Sequence, residues 1–122
     1  MTKHFDQTNE FSHGTMMMLW VDELEAEECR ERFDRNHNAY FEPENGYDGD
    51  EWVFINEEGK FATIYFRYGS PRIGAESIEV ANEFADFLRM KTGKNFGTAS
   101  VDPERYKAVI MAHKQVDSWS EQ

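Results

Sequence analysis

Hydrophobic positions along the chain fall into short blocks with either strand-like or helix-like spacing. Met16–Val21 is apolar at every position, which is typical of a strand that is covered on both faces. After it, Asp22 predicts a helix N-cap with Glu25 as an acidic capping-box partner, and the helix is expected to end near Arg35. The apolar stripe of this helix is thin and consists of Leu24, Ala26, Cys29 and Phe33.

Two strand-like runs at residues 51–56 and 60–68 predict a β-hairpin in which Gly59 has a left-handed backbone and Phe54 faces Ala62. One face then carries Trp52, Phe54, Ala62, Ile64, Phe66 and Tyr68. The other carries Val53, Ile55, Phe61, Thr63, Tyr65 and Arg67. Because both faces are rich in apolar residues, the second is expected to be covered by C-terminal elements or to serve as a contact surface.

Two further helices are predicted in the C-terminal half. The first begins after Ser77 and stops at Gly93, with an apolar stripe of Ile78, Ala81, Phe84, Ala85 and Leu88. The second covers residues 103–116, with Asp102 as its cap and Tyr106, Val109, Ile110 and His113 at helical spacing. The order β-α-β-β-α-α predicts an α+β domain, with helices packed on a small, mostly antiparallel sheet.

The length of 122 residues fits one domain. Residues 1–14 are polar and show no periodicity, so we expect a flexible arm that docks through Phe5 or Phe11. The domain itself is expected at residues 15–117, followed by a tail at 118–122. A lone cysteine, no long apolar run and no leader pattern favour a reduced, cytoplasmic setting without membrane contact.

The distribution of charged residues along the chain says more about possible partners than the overall composition does. Residues 22–58 hold fourteen of the 24 acidic residues and three of the 13 basic ones, so this segment accounts for the whole net charge of −11. Such a field repels nucleic acid and attracts a basic protein. Direct nucleic-acid binding is therefore not expected.

No motif in the sequence indicates catalysis or a cofactor. The four histidines lack zinc-site spacing, and Cys29 lies among glutamates that would raise the pKa of a nucleophilic thiol, so it is interpreted as a core residue. The glycines form no phosphate-binding loop. The best cation candidate is the acidic stretch at residues 42–51, which supports a small metal-dependent hydrolase using Asp48, Asp50 and Glu51 as an alternative.

The leading hypothesis is a non-enzymatic protein that binds and inhibits a basic, nucleic-acid-handling partner by mimicking nucleic acid. On the first helix, Glu23, Glu27 and Glu31 repeat at every fourth residue, about 6 Å apart along the axis. The predicted binding residues are Glu23, Glu27, Glu31 and Asp34 there, and Tyr40, Phe41, Glu42, Glu44, Tyr47, Asp48, Asp50 and Glu51 in a long loop at residues 36–50 and just after it.

In composition this profile is similar to nucleic-acid-mimic inhibitors of the kind encoded by phages and mobile elements, a likeness that covers no motif and transfers no residues. Two other interpretations stay open beside the hydrolase. The acidic half is a solvated surface that keeps the protein soluble and monomeric, or the chain is a structural subunit that forms a homodimer through the second hairpin face.

Overall fold

The strands pair into one antiparallel sheet with two helices packed on it, in a single small α+β domain. The computed structural model describes residues 2–8, 15–34, 41–42 and 47–101, with only the backbone described at 41–42 and 47–50. Its elements are β1 (Phe5–Thr8), β2 (Met16–Val21), α1 (Ala26–Arg32), β3 (Phe41–Glu42), β4 (Tyr47–Asn56), β5 (Phe61–Arg67), β6 (Ser70–Ala75), α2 (Ile78–Thr92) and β7 (Thr98–Ser100). Six strands follow the order β1-β4-β5-β6-β2-β7, and the short β3 pairs with β4.

The β4–β5 hairpin has the predicted register and turn. Phe54 pairs with Ala62, and the Asn56 N–H donates to the Lys60 carbonyl at 3.0 Å. Gly59 has φ +79°, and its N–H donates to the Asn56 carbonyl at 3.0 Å. The Asn56 side-chain oxygen also accepts the backbone N–H groups of Glu58 and Lys60, both at 2.9 Å. The turn is thus specified by residues within it.

The main core lies on what we call the first face of the sheet, which carries Trp52, Phe54, Ala62, Ile64 and Phe66 and packs against α1 and α2. Phe54 is its centre, with ring centroids 5.1 Å from Phe84 in α2 and 5.0 Å from Phe33 just after α1. Tyr68, predicted on this face, is 64% exposed because it lies in the turn beyond β5.

The opposite, second face of the sheet is buried at its centre. Met17, Val53 and Thr63 are 6%, 3% and 2% exposed, although both helices lie on the first face. Tyr65 is half-buried, and a Cβ built on Gly74 would come within 2.9 Å of the Thr63 hydroxyl. The second face is therefore covered within one chain at its centre.

Helix α2 forms as predicted. The Ser77 hydroxyl accepts the Val80 N–H at 3.2 Å, and Gly93 ends the helix with φ +69°. Most of the predicted stripe is buried, but Ile78, in the first turn, is 41% exposed.

The prediction that α1 begins after Asp22 is wrong. The Asp22 N–H instead donates to the Gly97 carbonyl at 2.9 Å, and Glu23 has a left-handed φ of +57°. This bend brings Leu24 into the core, and the helix starts after Glu25, whose N–H donates to the Glu28 side chain at 3.4 Å. The helix also ends at Arg32, before the predicted residue 35.

The flexible-arm prediction for residues 1–14 is wrong at Phe5–Thr8, which forms edge strand β1 against β4. Phe5 enters the aromatic core, with centroids 5.1 Å from Phe84 and 5.5 Å from Phe87. The long loop predicted at residues 36–50 is wrong at 41–42 and 47–50, which belong to strands. Residues 9–14 and the predicted helix at 103–116 lie outside the described residues. The domain limit at 117 therefore stays a prediction, whereas the sheet already includes residues before the predicted limit at 15.

Candidate functional site

The exposed side of α1 carries the candidate acidic surface. Glu27 and Glu31 are one helical turn apart and exposed, on the side away from the fully buried Cys29. Glu23 and Asp34 are also exposed and flank the helix, so the row predicted on one helix has only its two central members in helical conformation. We call these four residues the α1 acidic face.

One arginine reduces the charge of this face. Arg30 lies three residues after Glu27 within α1, so helical geometry places the two side chains next to each other. The four carboxylates of the face and the neighbouring Arg30 together carry a net charge of −3. Among the described residues, no ion pair is formed by the side chains of the α1 acidic face.

Two acidic residues of segment 22–58 that are not part of this face, one on α1 and one in the β4–β5 turn, form ion pairs with lysines from outside that segment. Lys94 pairs with Glu28 at 2.7 Å, and Lys3 pairs with Glu58 at 2.6 Å. The hydrogen bond from each lysine lowers the pKa of its glutamate, and the same contact raises the pKa of the lysine. Neither Glu28 nor Glu58 belongs to the predicted binding set, so these two ion pairs neutralise none of the carboxylates of the α1 acidic face.

The second group of predicted binding residues lies largely on strands. Phe41 pairs with Asp48 and Glu42 with Tyr47 between β3 and β4. Between Tyr47 and Glu51 the register of β4 shifts, because four residue steps in β4 oppose two in β5, and Asp50 lies inside this bulge. Tyr40 and Glu44 lie outside the described residues.

Glu51 is separated from the α1 acidic face by the sheet. It pairs with Tyr65, which places it on the second face, whereas α1 packs on the first. Burial raises the pKa of Glu51, so its carboxyl is a poor member of an exposed charged surface. The predicted binding set therefore combines residues that lie on opposite sides of the sheet.

The second face also brings together residues that the sequence did not connect. Register aligns Glu51, Tyr65, Arg72 and Trp20 across four neighbouring strands, and the Arg72 guanidinium lies 4.7 Å from the Trp20 ring centroid. The prediction missed this row because no strand was predicted between the hairpin and the helix that begins after Ser77. A helpful signal was the alternation of Arg72, Ile73 and Gly74, which suits a strand.

Neither metal binding nor a membrane span is indicated by the described part of the chain. Its His, Cys, Asp and Glu side chains form no group of three that could hold a metal ion, and the hydrolase alternative stays a prediction because the side chains of Asp48 and Asp50 are not among those described. Neither described helix is long and apolar enough to cross a membrane. Cys29, the single cysteine of the sequence, is fully buried, as expected of a core residue.

Comparison with protein-family models, curated proteins and solved structures finds no match. Function therefore has to be inferred from the residues of this chain alone.

Proposed function

We propose that the protein is a non-enzymatic, cytoplasmic interaction protein that binds and inhibits a basic, nucleic-acid-handling protein through the α1 acidic face. The observation that supports this proposal is that Glu23, Glu27, Glu31 and Asp34 stay exposed and without ion pairs among the described residues, while nearby Glu28 is paired with Lys94. A surface kept solely for solubility does not require this separation between paired and unpaired carboxylates.

The mechanism is occlusion of a positively charged groove. Glu27 and Glu31 present carboxylates about 6 Å apart along the helix axis, a spacing that cationic side chains arranged to hold phosphates can accept. Long-range attraction steers the partner toward this face and accelerates association, and ions in solution screen that attraction. Binding through this face is therefore expected to compete with duplex DNA or RNA and to weaken as salt rises.

The partner-binding set is narrower than the one predicted from the sequence. The proposal keeps the α1 acidic face as the principal surface and leaves Glu51 out, because Glu51 lies on the opposite side of the sheet. Phe41, Glu42, Tyr47, Asp48 and Asp50 remain candidates for a secondary contact, because β3 and β4 place their backbones together at one end of the sheet.

The test starts from affinity capture in cell extract with the full chain as bait, eluted in steps of rising salt. A captured protein is then measured against wild type and against a triple variant with Glu23, Glu27 and Glu31 each changed to Lys. The matched control changes the exposed residues Asp6, Glu57 and Glu79 to Lys, which alters the total charge equally on other elements. We expect the α1 variant to lose at least about tenfold in association rate at low salt, with a smaller loss at high salt.

Three results would contradict the proposal. The first is capture of no protein, which would favour the solvated-surface interpretation. The second is a captured partner that duplex DNA or RNA does not displace. The third is an equal loss of affinity in the α1 variant and the control, with both folded by circular dichroism, because only total charge would then matter.

A further inference from the structure

The last strand of the sheet has an open edge. Strand β7 pairs with β2 on one side, and no other strand pairs with it among the described residues. Ala99 and Ser100 are exposed and Thr98 is half-buried, so the outer side of β7 is accessible to another molecule. Unpaired N–H and C=O groups along such an edge are a template for pairing with a further strand.

Backbone hydrogen bonds show which groups of β7 point to the open side. The Gly97 carbonyl accepts the N–H of the residue after β2 at 2.9 Å, and the Val101 N–H donates to a β2 carbonyl at 3.0 Å. In an antiparallel pair, residues that exchange hydrogen bonds alternate with residues that do not. Ala99 therefore also faces β2, whereas Thr98 and Ser100 direct their backbone N–H and C=O groups away from the sheet.

The two outer strands of the sheet differ in how they are protected. Natural edge strands are very short, carry charges, proline or bulges, or are covered by other elements. Strand β1 contains Asp6, and the Gln7 side chain accepts the Asp34 N–H at 3.1 Å, so the chain after α1 lies against this strand. Strand β7 has the sequence Thr-Ala-Ser, without charge, proline or bulge, so among the described residues its short length is the only one of these features that it has.

Contacts to α2 hold β7 in place. The Arg89 Nε donates to the Phe96 carbonyl at 2.9 Å, and its Nη2 donates to the Thr98 hydroxyl at 3.4 Å. The same guanidinium lies 5.0 Å from the Phe96 ring centroid and pairs with Asp86 through Nη1 at 2.8 Å. Phe96 itself is buried in the core. A strand that is already ordered loses little conformational entropy when it pairs, so the open edge is pre-organised for association.

The outward groups of β7 are complementary to those of a second β7. When two copies of the strand align antiparallel about Ala99, Thr98 lies opposite Ser100 of the second copy, and Ser100 lies opposite its Thr98. Each outward residue has one donor and one acceptor, so the two copies together form four hydrogen bonds. The two Ala99 residues then meet in a non-hydrogen-bonded pair, where Cα atoms approach to about 4.5 Å and small side chains are accommodated.

We propose that the outer edge of β7 is a homodimerisation surface, which takes β7 of a second copy in antiparallel alignment about a two-fold axis at Ala99. Such an interface is isologous, because the same surface of both copies forms it. It joins the two sheets into one continuous sheet and leaves neither copy with an open β7 edge. The interface belongs to other elements than the α1 acidic face, so this proposal does not depend on the proposed function.

The size and charge of the interface set its expected strength. A three-residue pairing buries less than the roughly 1,200 Å² above which interfaces are usually stable, so the dimer should be weak, with a dissociation constant of about 10 µM to 1 mM. No charged side chain of β7 opposes the pairing, but the two chains each carry a net charge of −11 and repel each other over longer distances. Added salt screens this repulsion and should strengthen the dimer, whereas it should weaken the binding of a basic partner.

Sedimentation equilibrium of the full chain, at concentrations up to about 1 mM and at two salt concentrations, measures the association. Ser100→Pro removes an outward N–H donor and leaves the hydrogen bonds to β2 in place, and proline is tolerated on edge strands. Ala99→Lys places like charges opposite each other at the centre of the interface, on an exposed position. Each variant should weaken association at least about tenfold, whereas the matched control Ser100→Thr, which retains the N–H, should associate like the wild type.

Two sedimentation results would overturn the proposal: a chain that stays monomeric up to about 1 mM, and a dimer that Ala99→Lys leaves as stable as the wild type. The Ala99→Lys result decides even where Ser100→Pro fails to fold. NMR of a mixture of differently isotope-labelled copies locates the interface, and we expect a nuclear Overhauser contact between the Ala99 Hα atoms of the two copies. Contacts of Val53 or Thr63 to the other copy, without this contact, would place the interface on the second face and contradict the proposal.

Discussion

Replacing Gly59 isolates the energetic contribution of one backbone conformation. This residue has φ +79°, and a Cβ built on it has no other atom within 4 Å. A substitution there meets no steric obstacle from the surrounding chain, so its cost comes from forcing an L-residue into the left-handed region. The site is therefore suited to measuring that cost alone.

The expected magnitudes follow from the side chain. Gly59→Ala should destabilise the domain by about 1 kcal/mol. An L-residue in the left-handed region costs about 1–2 kcal/mol, and the lower conformational entropy of the unfolded variant offsets part of this cost. Gly59→Val should cost about 2 kcal/mol, since a β-branched residue is more restricted there. Gly59→Asn should cost least, because Asn enters this region most readily.

Urea unfolding followed by circular dichroism measures the series, with Lys60→Val as the control. Lys60 is exposed and adjacent, so the control adds the same side chain at a position without a positive φ. We expect the control to change stability by no more than about 0.5 kcal/mol. If Gly59→Val costs no more than Lys60→Val, the turn does not require a left-handed residue and the reasoning fails.

Two further predictions concern charged residues. Burial raises the pKa of Glu51, so its contribution to stability is present below the unfolded pKa and lost as pH rises through the folded pKa. Glu51→Gln should therefore stabilise the protein near pH 7 and be neutral near about pH 3 in urea unfolding, whereas no such pH-dependent gain is expected for exposed Glu57→Gln. The ion pair with Lys94 lowers the pKa of Glu28, so a double-mutant cycle should show favourable coupling at neutral pH that disappears as acid protonates Glu28. Coupling that stays constant down to about pH 2 would contradict an ionic origin.

The elements that the sequence predicted well are those whose signals are local. Asn56 and Gly59 specify the hairpin turn with their own hydrogen bonds and backbone, and Ser77 and Gly93 delimit α2 as its caps. Each of these signals acts within a few residues, so it can be found without knowledge of the fold.

The elements that were missed depend on distant partners. Strand β1 has one apolar residue, Phe5, and its place in the sheet comes from packing on Phe84 and Phe87 in α2. Strand β6 contains proline and glycine, which usually indicate a loop. Pro71 is tolerated near the start of the strand, and Gly74 allows the close approach of Thr63. The predicted start of α1 was wrong for a similar reason. The chain bends before the helix so that Leu24 can be buried in the core, and this burial depends on other elements of the fold.

The size of the α1 acidic face limits how closely it can resemble a nucleic acid. A seven-residue helix is about 10 Å long, and a DNA duplex carries roughly six phosphates over that length, whereas the face and the neighbouring Arg30 together have a net charge of −3. Inhibition through α1 alone therefore predicts a shallower salt dependence than that of the nucleic acid it displaces. Equal steepness would mean that further carboxylates contact the partner, and those of Glu42, Asp48 and Asp50 are the first to test, because Glu51 lies on the other side of the sheet.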